Sequence, residues 1–101
     1  MNEFEALKER LNTFARDRDW DQFHSPKNLS MALMVEAGEL MEHFQWLTEE
    51  QSNHLPPDKL REVENELADI LIYLTRLADR LNVDLLAAAA TSGSTVPGSK
   101  Q

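Results

Sequence analysis

Apolar residues recur every three or four positions in three separate stretches of the chain, which is the spacing of an amphipathic helix. The first stretch runs from about Glu3 to Arg18. The second starts at Pro26, behind a Ser25 N-cap, and continues to about Trp46 or Leu47. The third starts at the Pro56-Pro57 pair and ends near Leu81. Because no stretch alternates apolar and polar residues as a strand would, the pattern predicts an all-α fold, a bundle of three long helices.

The segments between and after these helices are polar or rich in turn-forming residues. Residues 19–24 read as a loop, and Thr48 to His54 as a polar connector. Asp84 can cap a short fourth helix through Ala87 to Ala90, and the residues from Thr91 onward offer no core positions. We therefore expect one domain over residues 1–90 and a disordered tail over 91–101.

Composition narrows the classes of function. The chain has 101 residues, a net charge of −8 and no cysteine, which disfavours binding to nucleic acid and excludes a thiolate metal site. A polyanionic ligand would need cations supplied from outside the chain. No apolar stretch approaches the length that spans a bilayer, so we expect a soluble, cytoplasmic protein that does not bind membranes.

Two pairs of acids lie inside apolar stretches, Glu36 with Glu39 and Glu66 with Asp69. Residues three apart lie side by side on a helix, so each pair directs two carboxylates to one point. Helical projection places Glu36 in the middle of an apolar arc that points into the core, where a carboxylate needs a partner such as a cation. The alternative is that these acids are solvated surface groups of a non-catalytic, acidic helical module for protein interaction or regulation.

Ligands that are all oxygen favour Mg²⁺, with Mn²⁺ as the other candidate. A di-iron centre is disfavoured because it needs Glu-x-x-His repeats on two helices. His43 follows Glu39 by four residues, and the third helix contains no histidine.

Three motifs resemble those of a known family. They are Arg-Asp-Trp-Asp-Gln-Phe-His-Ser-Pro-Lys-Asn-Leu at 18–29, Glu-Ala-Gly-Glu-Leu-Met-Glu-His-Phe-Gln-Trp at 36–46, and Asn-Glu-Leu-Ala-Asp-Ile-Leu-Ile-Tyr-Leu at 65–74. Over about residues 3–89 the chain resembles the MazG-like all-α nucleoside triphosphate pyrophosphohydrolases, most nearly the dCTP pyrophosphatase branch. The resemblance implies hydrolysis of a canonical or modified nucleoside triphosphate to the monophosphate and pyrophosphate, with a role in nucleotide-pool house-cleaning.

The same resemblance assigns roles to individual residues. Glu36, Glu39, Glu66 and Asp69 match the catalytic metal ligands, although the sequence does not identify the general base. Nucleotide contacts are implied for Trp20, His24, Lys27, Asn28, Trp46 and Tyr73. Stacking on indole suits a nucleobase, and the alternative is that both tryptophans belong to the core of the bundle. The tail departs from the family, since Ala90 leads into a Thr, Ser and Gly run where the family continues its last helix to a Tyr-Pro pair.

The second helix is apolar on nearly every face. Met31, Met34, Val35 and Met41 project away from the Glu36 arc, and Ile72 lies on the outer side of the third helix. A three-helix monomer cannot bury all of this surface, so we expect a homodimer or homotetramer.

Overall fold

A computed structural model describes residues 2–92, and within that range the chain forms helices joined by short turns, with no strand. The elements are α1 (Glu3–Asp17), a 3₁₀ turn (Asp21–Phe23), α2 (Pro26–Glu42), α3 (Glu49–Ser52), α4 (Pro57–Arg80) and α5 (Leu85–Ser92). The all-α prediction is confirmed. The predicted tail lies outside the described residues from position 93 onward.

Helices α2 and α4 form the central antiparallel pair, and α1 packs on the other side of α4. The direction of the α2/α4 pair follows from its contacts, since Glu36 lies near Glu66 while His43, just after α2, lies near Lys59. Residues of α2 therefore run past α4 in opposite order, which brings the two predicted acid pairs to the same level of the bundle.

Local capping explains where most of the helices begin. The Ser25 hydroxyl accepts a hydrogen bond from the backbone N–H of Asn28 at 3.1 Å, with Pro26 following at the first helical position. Asp84 caps α5 in the same way, accepting from Ala87 N–H at 3.0 Å. After the C-terminal end of α4, Asn82 takes a left-handed backbone conformation with φ of 57°, which stops the helix where the sequence predicted.

The structure differs from the sequence prediction in the segment after α2. The helix ends at Glu42 rather than near Trp46, because the backbone N–H of Phe44 bonds to Met41 O and that of Leu47 to Phe44 O, which are three-residue turns. The polar connector also contains α3, which a capping box between Thr48 and Gln51 initiates. Helix α5 continues to Ser92, two residues beyond the expected end.

Few apolar side chains are fully buried in the single chain. The buried apolar residues are Ala15, Leu29, Val63 and Ala78. Leu60, Leu67 and Leu71 belong to the apolar stripe of α4 but are exposed in the single chain. Among the described helices, none combines the length and the apolar character needed to cross a bilayer.

Candidate active site

Helices α2 and α4 bring three of the predicted carboxylates together. One oxygen each from Glu36, Glu39 and Glu66 lies within 4.8 Å of the others, and all three residues are half-buried. Asp69 follows Glu66 by about one turn of α4 and is exposed, outside this three-carboxylate cluster. The expectation that Glu36 points into the core is therefore met only in part, since Glu36 is half-buried and faces an acid of α4.

The cluster is electrostatically strained without a cation. The pKa of Glu36 is raised from 4.5 to about 7, first by partial burial and then by a hydrogen bond with Glu66 and the charges of Glu39, Glu66 and Asp69. Although Asp69 stands outside the cluster, its charge therefore still bears on Glu36. The surroundings of Glu36 therefore favour its protonated form, and a bound cation would favour the ionised form.

The donor set fits a hard divalent cation. The Oε2 atom of Glu66 is buried and has no hydrogen-bond partner among the described residues. A buried carboxylate oxygen without a partner is costly, and carboxylate oxygens are the ligands that Mg²⁺ and Mn²⁺ prefer. Glu36, Glu39 and Glu66 can supply such ligands together, and Asp69 is placed to approach from one turn further along α4.

A cavity of about 780 Å³ opens beside the carboxylates, between α1, the 3₁₀ turn and α4. We call it the aromatic cavity. Its lining residues are Leu7, Arg10, Leu11, Phe14, Ala15, Trp20, Phe23, His24, Asp69, Ile72, Tyr73 and Arg76. Phe14 and Trp20 pack edge to face with ring centroids 5.1 Å apart, and the Trp20 ring lies 5.6 Å from the His24 ring. Asp69 is the predicted metal ligand that lines this cavity, and it follows Glu66 of the carboxylate cluster by about one turn of α4.

Polar groups in the aromatic cavity are arranged around Arg76, which is only 4% exposed. Its guanidinium donates to Asn12 Oδ1 at 2.7 Å and to Asp21 Oδ1 at 2.8 Å. Burial lowers the pKa of His24, and the positive charge of Arg76 lowers it further. His24 is therefore neutral at pH 7. Its Nδ1 is buried with no partner in the described part of the chain, which leaves a polar atom for a ligand.

A second cavity, of about 470 Å³, opens on the other side of the carboxylates. We call it the polar cavity, and its lining residues are Glu39, Glu42, His43, Lys59, Glu62, Asn65 and Glu66. The Lys59 ammonium approaches His43 Nδ1 at 3.4 Å and Glu62 Oε1 at 4.0 Å. The carboxylates of Glu39 and Glu66 thus face both the cluster and this cavity.

The structure does not bring every predicted nucleotide contact to the aromatic cavity. Trp20, His24 and Tyr73 line it, whereas Trp46 is 86% exposed in the turn after α2 and lines neither cavity. Neither tryptophan is buried in the bundle core. Lys27 and Asn28 are exposed, and the Asn28 side chain donates to Phe23 O at 3.0 Å. This bond ties the 3₁₀ turn to the start of α2.

Sequence reasoning assigned no role in the site to several residues that line the two cavities, among them Phe14, His43, Lys59 and Arg76. A signal for two of them was present. Lys59 precedes Glu66 by seven residues and Arg76 follows Tyr73 by three, so both fall close to the acidic stripe of α4.

Comparisons with known proteins identify the family and the fold. A family model described as the MazG-like family matches residues 31–90. The dCTP pyrophosphatase 1 of Mus musculus is 51% identical over 74 residues, which cover 71% of this chain and 44% of that protein. The Homo sapiens dCTP pyrophosphatase 1 is 49% identical over 74 residues, which again cover 71% of this chain and 44% of that protein. The chain thus spans less than half of the length of these curated relatives.

A solved structure matches the fold as well. A pyrophosphatase from Archaeoglobus fulgidus superposes with a TM-score of 0.87 at 32% sequence identity. The match covers 94% of this chain and 89% of the archaeal one, so the arrangement of helices described above is shared almost throughout.

Proposed function

Because the chain belongs to the MazG-like family, we propose that it hydrolyses nucleoside triphosphates, canonical or modified, to the monophosphate and pyrophosphate. One observation carries this proposal. A cluster of three carboxylates, with a buried oxygen that has no partner, adjoins a cavity walled by Phe14, Trp20 and Tyr73. The activities for which the relatives are named, dCTP pyrophosphatase and pyrophosphatase, favour the same reaction.

The reaction needs one water and one bond broken between phosphorus and oxygen. The oxygen of water bonds to the α-phosphorus, and the bond from that phosphorus to the oxygen bridging the β-phosphate breaks. The bridging oxygen leaves with pyrophosphate, and a proton of the water passes to a carboxylate. When bound, a divalent cation, Mg²⁺ or Mn²⁺, supplies neutralisation of the phosphate charge and acidifies water. Glu36, Glu39, Glu66 and Asp69 would hold it.

The aromatic cavity supplies what a nucleoside needs. Trp20 and Phe14 offer flat apolar faces for a base, and stacking on such a side chain contributes about 1–3 kcal/mol without selecting strongly among bases. Neutral His24 can exchange a hydrogen bond with the ligand through its unpartnered nitrogen. Since Asp69 lines the same cavity, a base seated there would place its phosphates toward the carboxylates.

We further infer that the protein acts in nucleotide-pool house-cleaning, in the cytoplasm, as a homodimer or homotetramer. The exposed apolar faces of α2 and α4 support self-association, because a second copy would cover them. The competing function is a non-catalytic acidic helical module, in which the carboxylates serve only solubility.

The decisive experiment is a pyrophosphate-release assay. We expect release from at least one of a panel of canonical and modified dNTPs with Mg²⁺ or Mn²⁺, and none in EDTA. Removing a partner of a metal ligand typically costs about 10–100-fold, so Glu39→Gln, which removes a ligand itself, should cost at least about 100-fold. The control Glu64→Gln, on the exposed side of α4, should retain activity. No release with any substrate and either metal would favour the non-catalytic module.

A further inference from the structure

The position of Lys59 in the polar cavity indicates how a substrate would be oriented in the site. Among the residues that line this cavity, Lys59 is the one with a full positive charge, facing four glutamates. An ammonium has three N–H donors and no acceptor, so His43 Nδ1 accepts from it. Glu62, at 4.0 Å, lies beyond hydrogen-bond distance. At least one N–H of Lys59 is therefore left for a ligand, counting only partners within the described residues.

Helix α4 places this lysine in line with the rest of the site. Lys59, Glu66 and Tyr73 follow one another at intervals of seven residues, which keeps them near one face and about 10 Å apart along the axis. Tyr73 lines the aromatic cavity, Glu66 belongs to the carboxylate cluster, and Lys59 lines the polar cavity. The carboxylates thus lie between a site that suits a base and a cavity that carries a cation.

The contact with His43 separates Lys59 from an ordinary surface lysine. A lysine on an exposed helix commonly pairs with an acid one turn away, and Glu62 is in that position. Here the shorter contact reaches across to the residue after α2, and it holds the ammonium on the side of α4 that faces α2. An imidazole ring that accepts this bond carries no negative charge, so it orients the ammonium without forming an ion pair with it.

We propose that the polar cavity receives the β- and γ-phosphates of the substrate, and that Lys59, oriented by His43, binds the departing pyrophosphate. This inference rests on the proposed function. When the bond between the α-phosphorus and the bridging oxygen breaks, the electron pair stays on that oxygen, and the Lys59 ammonium donates hydrogen bonds to the pyrophosphate oxygens. The nucleoside monophosphate remains on the other side of the carboxylates.

Product inhibition tests the assignment, because the two products should occupy different cavities. With the full chain and Mg²⁺, we expect Lys59→Ala to raise the inhibition constant of pyrophosphate by about tenfold or more, as for loss of a charge-assisted hydrogen bond. The inhibition constant of the nucleoside monophosphate should stay within twofold of the wild-type value, on the order of experimental error. The control Arg61→Ala, which removes an exposed cation two residues further along α4 that lines neither cavity, should change neither constant.

His43→Ala supplies the second variant, and it should raise the pyrophosphate constant by less than Lys59→Ala does. Equal weakening of both products, or no change in the pyrophosphate constant, would overturn the inference. If the wild-type protein releases no pyrophosphate from any nucleotide, the proposed function fails. Calorimetric titration with pyrophosphate and Mg²⁺ then tests the role of Lys59 independently of catalysis. That role would be rejected if pyrophosphate does not bind, or if it binds wild type and Lys59→Ala equally well.

Discussion

Glu36 holds its proton more tightly than a free glutamate because it is partly buried among three other carboxylates. Placing Glu36, Glu39 and Glu66 together disfavours the ionised form of the site, and a bound cation would remove that penalty. The residue that the sequence singled out is thus also the residue whose ionisation the fold opposes most clearly.

The pH dependence of the free energy of unfolding should reveal that ionisation of Glu36 is unfavourable in the folded state. In EDTA, the folded protein keeps the Glu36 proton up to about pH 7, whereas an unfolded glutamate loses it near pH 4.5. The folded state therefore binds more protons between these values, and the contribution of Glu36 to stability is lost as pH rises. We expect the free energy of unfolding of Glu36→Gln, relative to wild type, to increase between pH 4.5 and pH 7.5 in urea titrations.

Glu64→Gln, on the solvated side of α4, is the control and should track wild type at every pH. Parallel curves for Glu36→Gln and wild type would contradict the electrostatic account. Adding Mg²⁺ should raise the stability of wild type at pH 7.5 more than that of Glu36→Gln, because a ligand that binds the folded state stabilises it.

The acid pairs could be predicted because i and i+3 spacing fixes their direction on a helix. Their depth could not be predicted. Whether Glu36 is enclosed or only half-buried depends on where α4 lies, and the inclusion of Glu66 but not Asp69 in the cluster depends on the relative shift of two helices. The periodicity of a single helix gives neither the position of its neighbour nor the shift between the two helices.

At the level of elements, α1 and α4 were predictable because periodicity and stop signals agree at their ends. The end of α2 was not predictable. The apolar spacing of the sequence continues from His43 to Leu47, but the backbone there forms turns and not a continuous helix. Helix α3 was missed although its signal was present. Thr48 followed three residues later by Gln51 is a capping box, and the structure forms both of its bonds.

Arg76 joins three elements, because it lies on α4 and bonds to Asn12 of α1 and Asp21 of the 3₁₀ turn. Arg76→Ala removes both bonds and leaves two polar partners behind. We expect a loss of about 1–3 kcal/mol in the free energy of unfolding, measured in urea at fixed protein concentration. Arg61→Ala, exposed on the same helix, should change it by less than about 0.5 kcal/mol, and an equal loss in both variants would contradict the joining role.

For the whole molecule, the imbalance between buried and exposed apolar surface is the dominant feature. Among the described residues four apolar side chains are buried, while α2 exposes Met31, Met34, Val35 and Met41 and α4 exposes Leu60, Leu67 and Leu71. The sequence predicted that these α2 residues face away from the core. The α4 leucines were not, because a single stripe cannot reveal how much of its width the neighbouring helices cover.

Sedimentation should therefore give a mass that is a multiple of 11.6 kDa at micromolar concentration. Placing a charge on the α2 face with Met34→Glu should shift the protein toward the monomer, since burial of an unpaired carboxylate is unfavourable. Thr13→Glu, on the exposed side of α1, should leave the mass unchanged. A wild-type protein that sediments only as the single chain would remove the prediction of self-association.

The two tryptophans have separate surroundings, and this gives the protein two independent optical probes. Trp20 is 41% exposed and packs beside Phe14 and His24, whereas Trp46 is 86% exposed in the turn after α2. Indole emission shifts with the polarity around the ring, so a chain that retains only Trp20 reports on the occupancy of the aromatic cavity. A chain that retains only Trp46 reports on contact with another molecule, so the two single-tryptophan chains follow the two events separately.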